Sequence, residues 1–339
     1  MKNPSPTISV TMTTYNHEKY IGDAIQSCLT QSFEDFELVI VNDGSTDQTD
    51  EIIRKFNDDR IIYISQNNQG PSAAFNRAIL ASKGKYLVCF DGDDICYPNR
   101  LERQYEFISQ SNSEVIFSQV DFIDDDGELI VDKEDGDEPF DFTNRTRAQM
   151  LEYFFDHGNY FCSSTVMAER KVFLEAGLFC LTSIQLQDFD MWIKLFKKYE
   201  LFILPEKLVK YRIRSNKANL SFNPDYDQRG SFEIYHISKN AFNDMPIELF
   251  RDAFKARLKK ADFKDGNEYE LEKAFLCLSS QRSEIQSVGL GKLFNLLQDK
   301  DVLSIAIKEY GFDLSNFYKM TLFSQVPGIS KEENQLIAQ

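Results

Sequence analysis

Carboxylates fall at two places in this chain where a strand-like run ends. Asp43 follows Glu37 to Asn42, and Asp91-Gly92-Asp93-Asp94 follows Tyr86 to Phe90. A cluster such as Asp91, Asp93 and Asp94 repels itself unless a cation lies within it. Hard oxygen ligands with open coordination positions suit Mg²⁺ or Mn²⁺, and either ion can bridge a diphosphate. The first apolar run, Ile8 to Met12, leads into Thr13-Thr14-Tyr15-Asn16. Tyr15 can stack on a base, while Asn16 and Asp43 can hydrogen-bond its edge or a ribose. The chemistry indicated is the holding of a nucleoside diphosphate through a metal.

Other chemistries fail on spacing. The turn Thr13 to His17 contains no glycine, so neither G-x-G-x-x-G nor G-x-x-x-x-G-K is present where backbone must approach a pyrophosphate. A sugar nucleotidyltransferase would need a glycine-rich turn at the same place. From Asp121 to Asp141 there are 11 acidic residues and one lysine. Counting back from Gly127 or Gly136 puts Phe122 or Val131 at the first ligand position of a calcium loop, so the segment reads as an exposed loop with a hairpin turn at Asp126-Gly127. Lys and Arg total 38 against 54 Asp and Glu, a net charge of −16, and this argues against nucleic acid as a partner. The six cysteines lie far apart without zinc spacing and read as reduced, buried thiols. No run approaches the ~18 apolar residues of a membrane span, and the N-terminus lacks a signal-peptide segment. The expected location is the cytoplasm, with a peripheral contact at the inner face of a membrane as the variant.

Elements that could position these residues follow from the hydrophobic period. Short apolar runs at Ile8 to Met12, Glu37 to Asn42, Ile61 to Ser65 and Tyr86 to Phe90 alternate with helical stretches beginning near Glu18, Asp47 and Pro71. This is the pattern of a β-α-β sheet covered on both faces, an α/β fold whose ligand lies at the carboxyl ends of the strands. A helix from Pro98, a strand from Glu114 to Ile123, a helix after Arg147, a strand-like run from Asn159 to Met167 and a helix over Leu186 to Tyr199 follow. Leu201 to Leu204 and Leu208 to Ile213 read as sheet edge. Beyond about Asn223 the apolar period is helical to the end.

Taken together, Ile8-Ser9-Val10 with Thr13 to Asn16, Val39-Ile40-Val41-Asn42-Asp43-Gly44-Ser45-Thr46-Asp47, Asn68-Gln69-Gly70, Asn76 and Asp91-Gly92-Asp93-Asp94 resemble the family 2 glycosyltransferases of the GT-A fold. Gln187-Asp188-Phe189-Asp190-Met191-Trp192 resembles the acidic catalytic-base motif of that family, and Tyr211-Arg212 the segment that closes its site. The resemblance spans roughly residues 7 to 220. It implies a GT-A domain over residues 1–222 and leaves 223–339 as a helical C-terminal region. It further implies a metal-dependent, inverting transfer of a sugar from a nucleotide-sugar, most often a UDP-sugar, to a hydroxyl of a glycan or lipid-linked acceptor, as in cell-surface polysaccharide synthesis. On that register Thr13, Tyr15, Asn16, Asp43, Asn68, Gly70, Asn76, Asp91, Gly92 and Arg214 line the donor site. Asp93 holds Mn²⁺ or Mg²⁺, and Asp188 is the base.

Three positions depart from the family pattern. Gln187 replaces an acidic residue before the base, Phe75 replaces an arginine before Asn76 with Arg77 beside it, and Arg214 stands where many members have a histidine. Arginine cannot ligate a cation but pairs with diphosphate oxygens, so Arg214 is expected to assist the leaving group. Trp192 and the aromatics Phe232, Tyr235, Phe242, Phe250 and Phe254 read as core, with an acceptor groove as the sharper alternative for the latter group. None of His17, His157 and His236 is a catalytic candidate on sequence. The rival reading of the whole chain is a nucleotide-binding, non-catalytic interaction module on the same fold.

Overall fold

The computed structural model describes residues 5–111, 113–131, 140–215, 219 and 227–322. Runs rich in Val, Ile and Phe form β1 (Ile8–Thr14), β2 (Phe36–Asn42), β3 (Ile61–Ser65), β4 (Tyr86–Asp91), β5 (Ile95–Cys96), β6 (Val115–Ile123), β7 (Met167–Glu169) and β8 (Leu201–Arg212). They make one sheet in the order β3-β2-β1-β4-β7-β6-β8-β5. β1 to β4 are parallel to their neighbours among themselves, and β7 is antiparallel to β4 and β6. Thr13 is paired with Val41 on one side and with Asp91 on the other. The strand tips β2, β1 and β4 therefore end level, which brings their following loops together.

The helices of this part are α1 (Ile21–Leu29), α2 (Thr49–Ile53), α3 (Pro71–Ala81) and α4 (Arg100–Gln110), and, beyond α5 (Arg147–His157), α6 (Arg170–Glu175) and α7 (Gln187–Phe196). Alternate residues of β2 point to opposite faces. Leu38 and Ile40 join Ile21, Ile25, Leu101 and Ile108 in one core layer, while Val39 and Val41 meet Ala74 and Ala78 of α3 in another. Burying each such side chain contributes about 1.5–3 kcal/mol, and both layers together make the sheet a rigid platform.

Several elements differ in extent from the sequence expectation. α1 starts at Ile21 rather than near Glu18, because Asn16 adopts φ 54° and His17 to Tyr20 form a turn whose His17 carbonyl accepts from the amides of Tyr20 and Ile21. The run from Asn159 to Met167 is not a strand: a 3₁₀ turn over Ser163–Thr165 precedes the three-residue β7. Leu201 to Ile213 is not sheet edge either. β8 runs continuously between β6 and β5, and Pro205 and Glu206 are accommodated by register shifts opposite Ser118 and Gln119. A bulge is where a strand tolerates proline.

Contacts divide the chain into two compact units, residues 1–146 with 159–223, and residues 147–158 with 224–339. A cut at 222/223 therefore misplaces one element, since α5 packs with the second unit. That unit comprises α5, α8 (Asp227–Ala241), α9 (Ile247–Phe254), α10 (Asn267–Leu278), α11 (Ser283–Leu296), α12 (Lys300–Tyr310) and α13 (Leu314–Thr321). Leu151 and Phe155 of α5 are buried with Phe242, Phe250 and Phe254. Asp299 caps α12, Gly311 ends it in the left-handed region, and Asp313 with Asn316 forms a capping box for α13. Phe232 is half-exposed and packs tilted against His236, so it is not core.

Candidate active site

The loop after β1 is stitched to the loop after β2. The Asn16 amide donates to Ser45 Oγ (2.9 Å), Asn16 Oδ1 accepts from the Thr46 amide (2.8 Å), and the His17 amide donates to Thr49 Oγ1 (2.9 Å). The Asp43 carboxylate ties the next loop in turn, accepting from Gln66 Nε2 (2.6 Å) and from the amides of Gln69 (3.0 Å) and Gly70 (2.8 Å). Gly70 has φ 87° and ψ 166°, a conformation reserved for glycine, directly before Pro71 opens α3. Asn16, through its amide and Oδ1, and Asp43, through both carboxylate oxygens, thus fix loop geometry. Tyr15 is 44% exposed beside them, and Asn68 is exposed on the third loop.

Asn76 lies elsewhere. Its side-chain amide is a two-way clamp on Phe179, donating to the carbonyl (2.9 Å) and accepting from the amide (2.8 Å), while Ser72 Oγ donates to the Ser183 carbonyl. The residue assigned a donor contact by the resemblance instead uses both ends of its amide to hold residues 179–183 against α3. Phe75 beside it is buried against Phe179, which explains an apolar residue there, and Arg77 is exposed and donates to Gln66.

The carboxylates after β4 have three different surroundings. Asp91 faces Thr13 Oγ1 (3.5 Å) and accepts from Ser164 Oγ (3.0 Å); burial, with the charges of Asp93 and Asp188, pushes its carboxyl up to about 7. Gly92 has its amide on the Thr13 carbonyl, and a Cβ there would come 2.9 Å from Thr14, so no other residue fits without movement. Asp94 is buried, its Oδ1 accepting from the Arg212 amide (2.9 Å) while Oδ2 has no hydrogen-bond partner; burial and the charges of Asp93 and Asp91 raise its carboxyl well above the usual range. It is a buried part of the scaffold. The Asp93 carboxylate, by contrast, meets only longer-range partners among the described residues, Arg214 Nη1 at 3.5 Å and His17 Nε2 at 3.8 Å.

His17 is the site residue that sequence reasoning set aside. Its Nε2 lies 3.3 Å from Arg214 Nη1. A guanidinium only donates, so the contact assigns the lone pair to Nε2 and the proton to Nδ1, a buried atom without a hydrogen-bond partner. Burial holds the ring below its ordinary pKa, opposed by Asp93 and reinforced by Arg214. Only the turn before α1, which the helical period hides, brings His17 there. Arg212 is fully buried: its Nε donates to the Asp93 carbonyl (2.8 Å) and its Nη1 to the carbonyls of Asp124 and Asp125, locking the carboxylate loop to the hairpin. That hairpin forms as expected, with Gly127 at φ 86° and the Ile130 amide on Phe122. Residues 132–139 of the acidic segment lie outside the described residues.

Asp188 sits in the first turn of α7, where the helix dipole favours a carboxylate. Its Oδ2 accepts from Asn159 Nδ2 (2.7 Å) and its Oδ1 from the Phe189 amide (2.7 Å). Trp192 is completely buried edge-on to Phe117, outside the site. Among the described residues no group of three or more His, Cys, Asp or Glu side chains is arranged as a metal cage, and no helix is long and apolar enough to cross a membrane.

Loops at the carboxyl ends of β1, β2 and β4, with a carboxylate row facing a helix-borne acid, define a nucleotide-sugar transferase fold. The sequence matches the model of Glycosyl transferase family 2 over residues 9–175. An uncharacterized glycosyltransferase of Methanocaldococcus jannaschii is 34% identical over 223 residues, covering 64% of this chain and 74% of the relative. One of Haemophilus influenzae is 30% identical over 234 residues, covering 68% and 88%. One of Rickettsia bellii is 27% identical over 270 residues, covering 78% of this chain but only 38% of the relative. Staphylococcus aureus TarS 1–349 in complex with UDP-GlcNAc shares the fold, with a TM-score of 0.57 at 18% identity over 95% of each chain. TarS 1–349 with UDP matches at 0.57 over 86% of each. The chain belongs to glycosyl transferase family 2, with a GT-A fold.

Proposed function

We propose that this glycosyltransferase moves a sugar, with inversion, from a UDP-sugar to a hydroxyl of a glycan or lipid-linked acceptor in cell-surface polysaccharide synthesis, on the cytoplasmic side of the membrane. The carrying observation is the Asp93 carboxylate in the loop after β4, at the crevice where strand order turns between β1 and β4, with only Arg214 Nη1 at 3.5 Å and His17 Nε2 at 3.8 Å as charged partners among the described residues. Such a crevice is the usual ligand place in an open α/β sheet. The choice of UDP leans on the TarS complexes with UDP and UDP-GlcNAc.

Thr13 and the exposed Tyr15 offer a ribose contact and a stacking face, and the stitched loops keep both in place. Asp93 fits a Mn²⁺ or Mg²⁺ ion, because its carboxylate lies among those of Asp91 and Asp94, has no donor nearer than Arg214 Nη1 at 3.5 Å among the described residues, and oxygen ligands suit these ions. A cation bound there supplies Lewis-acid neutralisation of the leaving diphosphate. Arg214 can turn its guanidinium from Asp93 to diphosphate oxygens. Asp188, held by Asn159, takes the proton of the acceptor hydroxyl as general base.

A thermal-shift panel with UDP, GDP, dTDP and CMP, each with Mn²⁺ and with EDTA, tests the reading. A ligand at about 100 times its Kd stabilises by about 2.7 kcal/mol. UDP with Mn²⁺ is expected to raise Tm alone among these conditions, and Asp93→Ala to abolish that rise. No shift with any nucleotide, or an unaltered shift in Asp93→Ala, would overturn the assignment.

A further inference from the structure

Arg100, at the start of α4, is a fully buried cation. Its Nε donates to Gln104 Oε1 (3.1 Å), its Nη2 to the Cys89 carbonyl (3.3 Å) and its Nη1 to Cys96 Sγ (3.3 Å), and among the described residues no carboxylate pairs with it. An arginine keeps its charge even when buried, and burying it uncompensated is costly. The one atom in contact that can carry a negative charge is Cys96 Sγ. Cys28 Sγ of α1 lies 4.0 Å from it. Because the guanidinium occupies Cys96 as an acceptor, the Cys28 S–H is the donor of that contact. The Cys96 amide also donates to Ser27 Oγ (3.0 Å), which holds β5 against α1.

The geometry points to a Cys96 thiolate, ion-paired with Arg100, that forms a reversible disulfide with Cys28 when the protein meets hydrogen peroxide. Cys96 Sγ attacks one peroxide oxygen, the O–O bond breaks, and hydroxide leaves and is protonated to water, giving a sulfenic acid. The Cys28 sulfur then attacks Cys96 Sγ, the S–O bond breaks, and water departs with the Cys28 proton. Two electrons pass from sulfur to peroxide. Closing the contact from 4.0 Å to the ~2.05 Å of a disulfide draws β5 toward α1, just beyond the carboxylate loop.

Surroundings separate Cys96 from the other thiols, including its partner Cys28, whose thiol is raised well above the ordinary value by burial and the contact with Cys96. Burial pushes Cys89 and Cys277 up to about 12 and Cys162 well upward, whereas contacts with Cys28 and Arg100 outweigh burial and bring Cys96 to about 7. Cys180 is the remaining competitor, being partly exposed with its thiol lowered by Thr182. The full chain carrying Cys180→Ser is therefore treated with graded hydrogen peroxide below its melting temperature, quenched, alkylated and peptide-mapped. The expected product is a peptide pair joined through Cys28 and Cys96, two hydrogen atoms lighter and restored by dithiothreitol, with Cys89, Cys162 and Cys277 still alkylated. Adding Cys28→Ser should stop the reaction at a dimedone-reactive sulfenic acid on Cys96. Oxidation of Cys89 or Cys277 as readily as Cys96, dimedone labelling elsewhere, or an unchanged pair when methionines are already oxidised would overturn the proposal.

Discussion

Asp91 and Asp188 are carboxylates whose charges act on one another, and their surroundings assign them different tasks. Asp188 accepts from the Asn159 side-chain amide and from the Phe189 N–H at the start of α7. Asp188→Asn keeps the shape and removes the basic oxygen, so turnover should fall by about a hundred- to ten-thousand-fold while the UDP affinity by calorimetry stays within about twofold. Full turnover in that variant would remove Asp188 from the reaction. Asp91 has its carboxyl raised from 3.8 to about 7 in the folded chain. Between these values the folded form keeps a proton that the unfolded chain has lost, so its contribution to stability is complete below about pH 4 and is lost as pH rises through 7. Melting of the metal-free protein should accordingly show a destabilising step between about pH 4 and 7 that Asp91→Asn removes.

Elements, rather than single residues, set the crevice. Level strand tips put the loops side by side, and Asn16, Asp43 and Asn76 convert that proximity into fixed geometry: their side chains accept from four backbone amides and donate to one carbonyl, and the Asn16 amide donates to Ser45 Oγ. Asn76 shows a motif residue whose side-chain amide holds the backbone of Phe179. Asn76→Ala leaves the Phe179 N–H and C=O buried without their partner, at about 1–3 kcal/mol for each group. The expected result is a clearly lower Tm with UDP affinity unchanged; a selective loss of UDP affinity at unchanged Tm would restore a donor contact. Arg212 plays the same part for the carboxylate loop, since it clamps Asp93 and Asp94 to the hairpin from within the core.

Across the whole molecule the chain crosses between its two units more than once, with α5 leaving the first and joining the second. In a fragment of residues 1–222, α5 would lose the cover of Phe242 and Phe254, whose rings lie 6.2 and 5.3 Å from Phe155, and the ion pair of Asp156 with Arg257. Exposing Leu151 and Phe155 forfeits about 1.5–3 kcal/mol each and leaves an apolar patch. The fragment should be less soluble and bind the apolar dye ANS, whereas the same fragment lacking residues 147–158 through a short linker should not. Equal behaviour of the two fragments would show that α5 does not depend on the second unit.

Local pattern carried much of this. The strands β1 to β4 and β6, the helices α1 to α4 and α7, the hairpin turn, the carboxylate row after β4 and the family relationship are legible in the residues, because period, turn chemistry and strand-end motifs are properties of neighbouring positions. Tertiary structure decided matters that depend on partners distant in the chain. It placed β8 between β6 and β5, gave α5 to the second unit, turned Asn76 toward Phe179 and put His17 beside Arg214, 197 positions away. It also separated three neighbouring carboxylates into a raised Asp91, a buried Asp94 held by the Arg212 amide and an Asp93 beside Arg214 and His17. Burial and charge around a side chain are set by what folds over it, and no spacing along the chain encodes them.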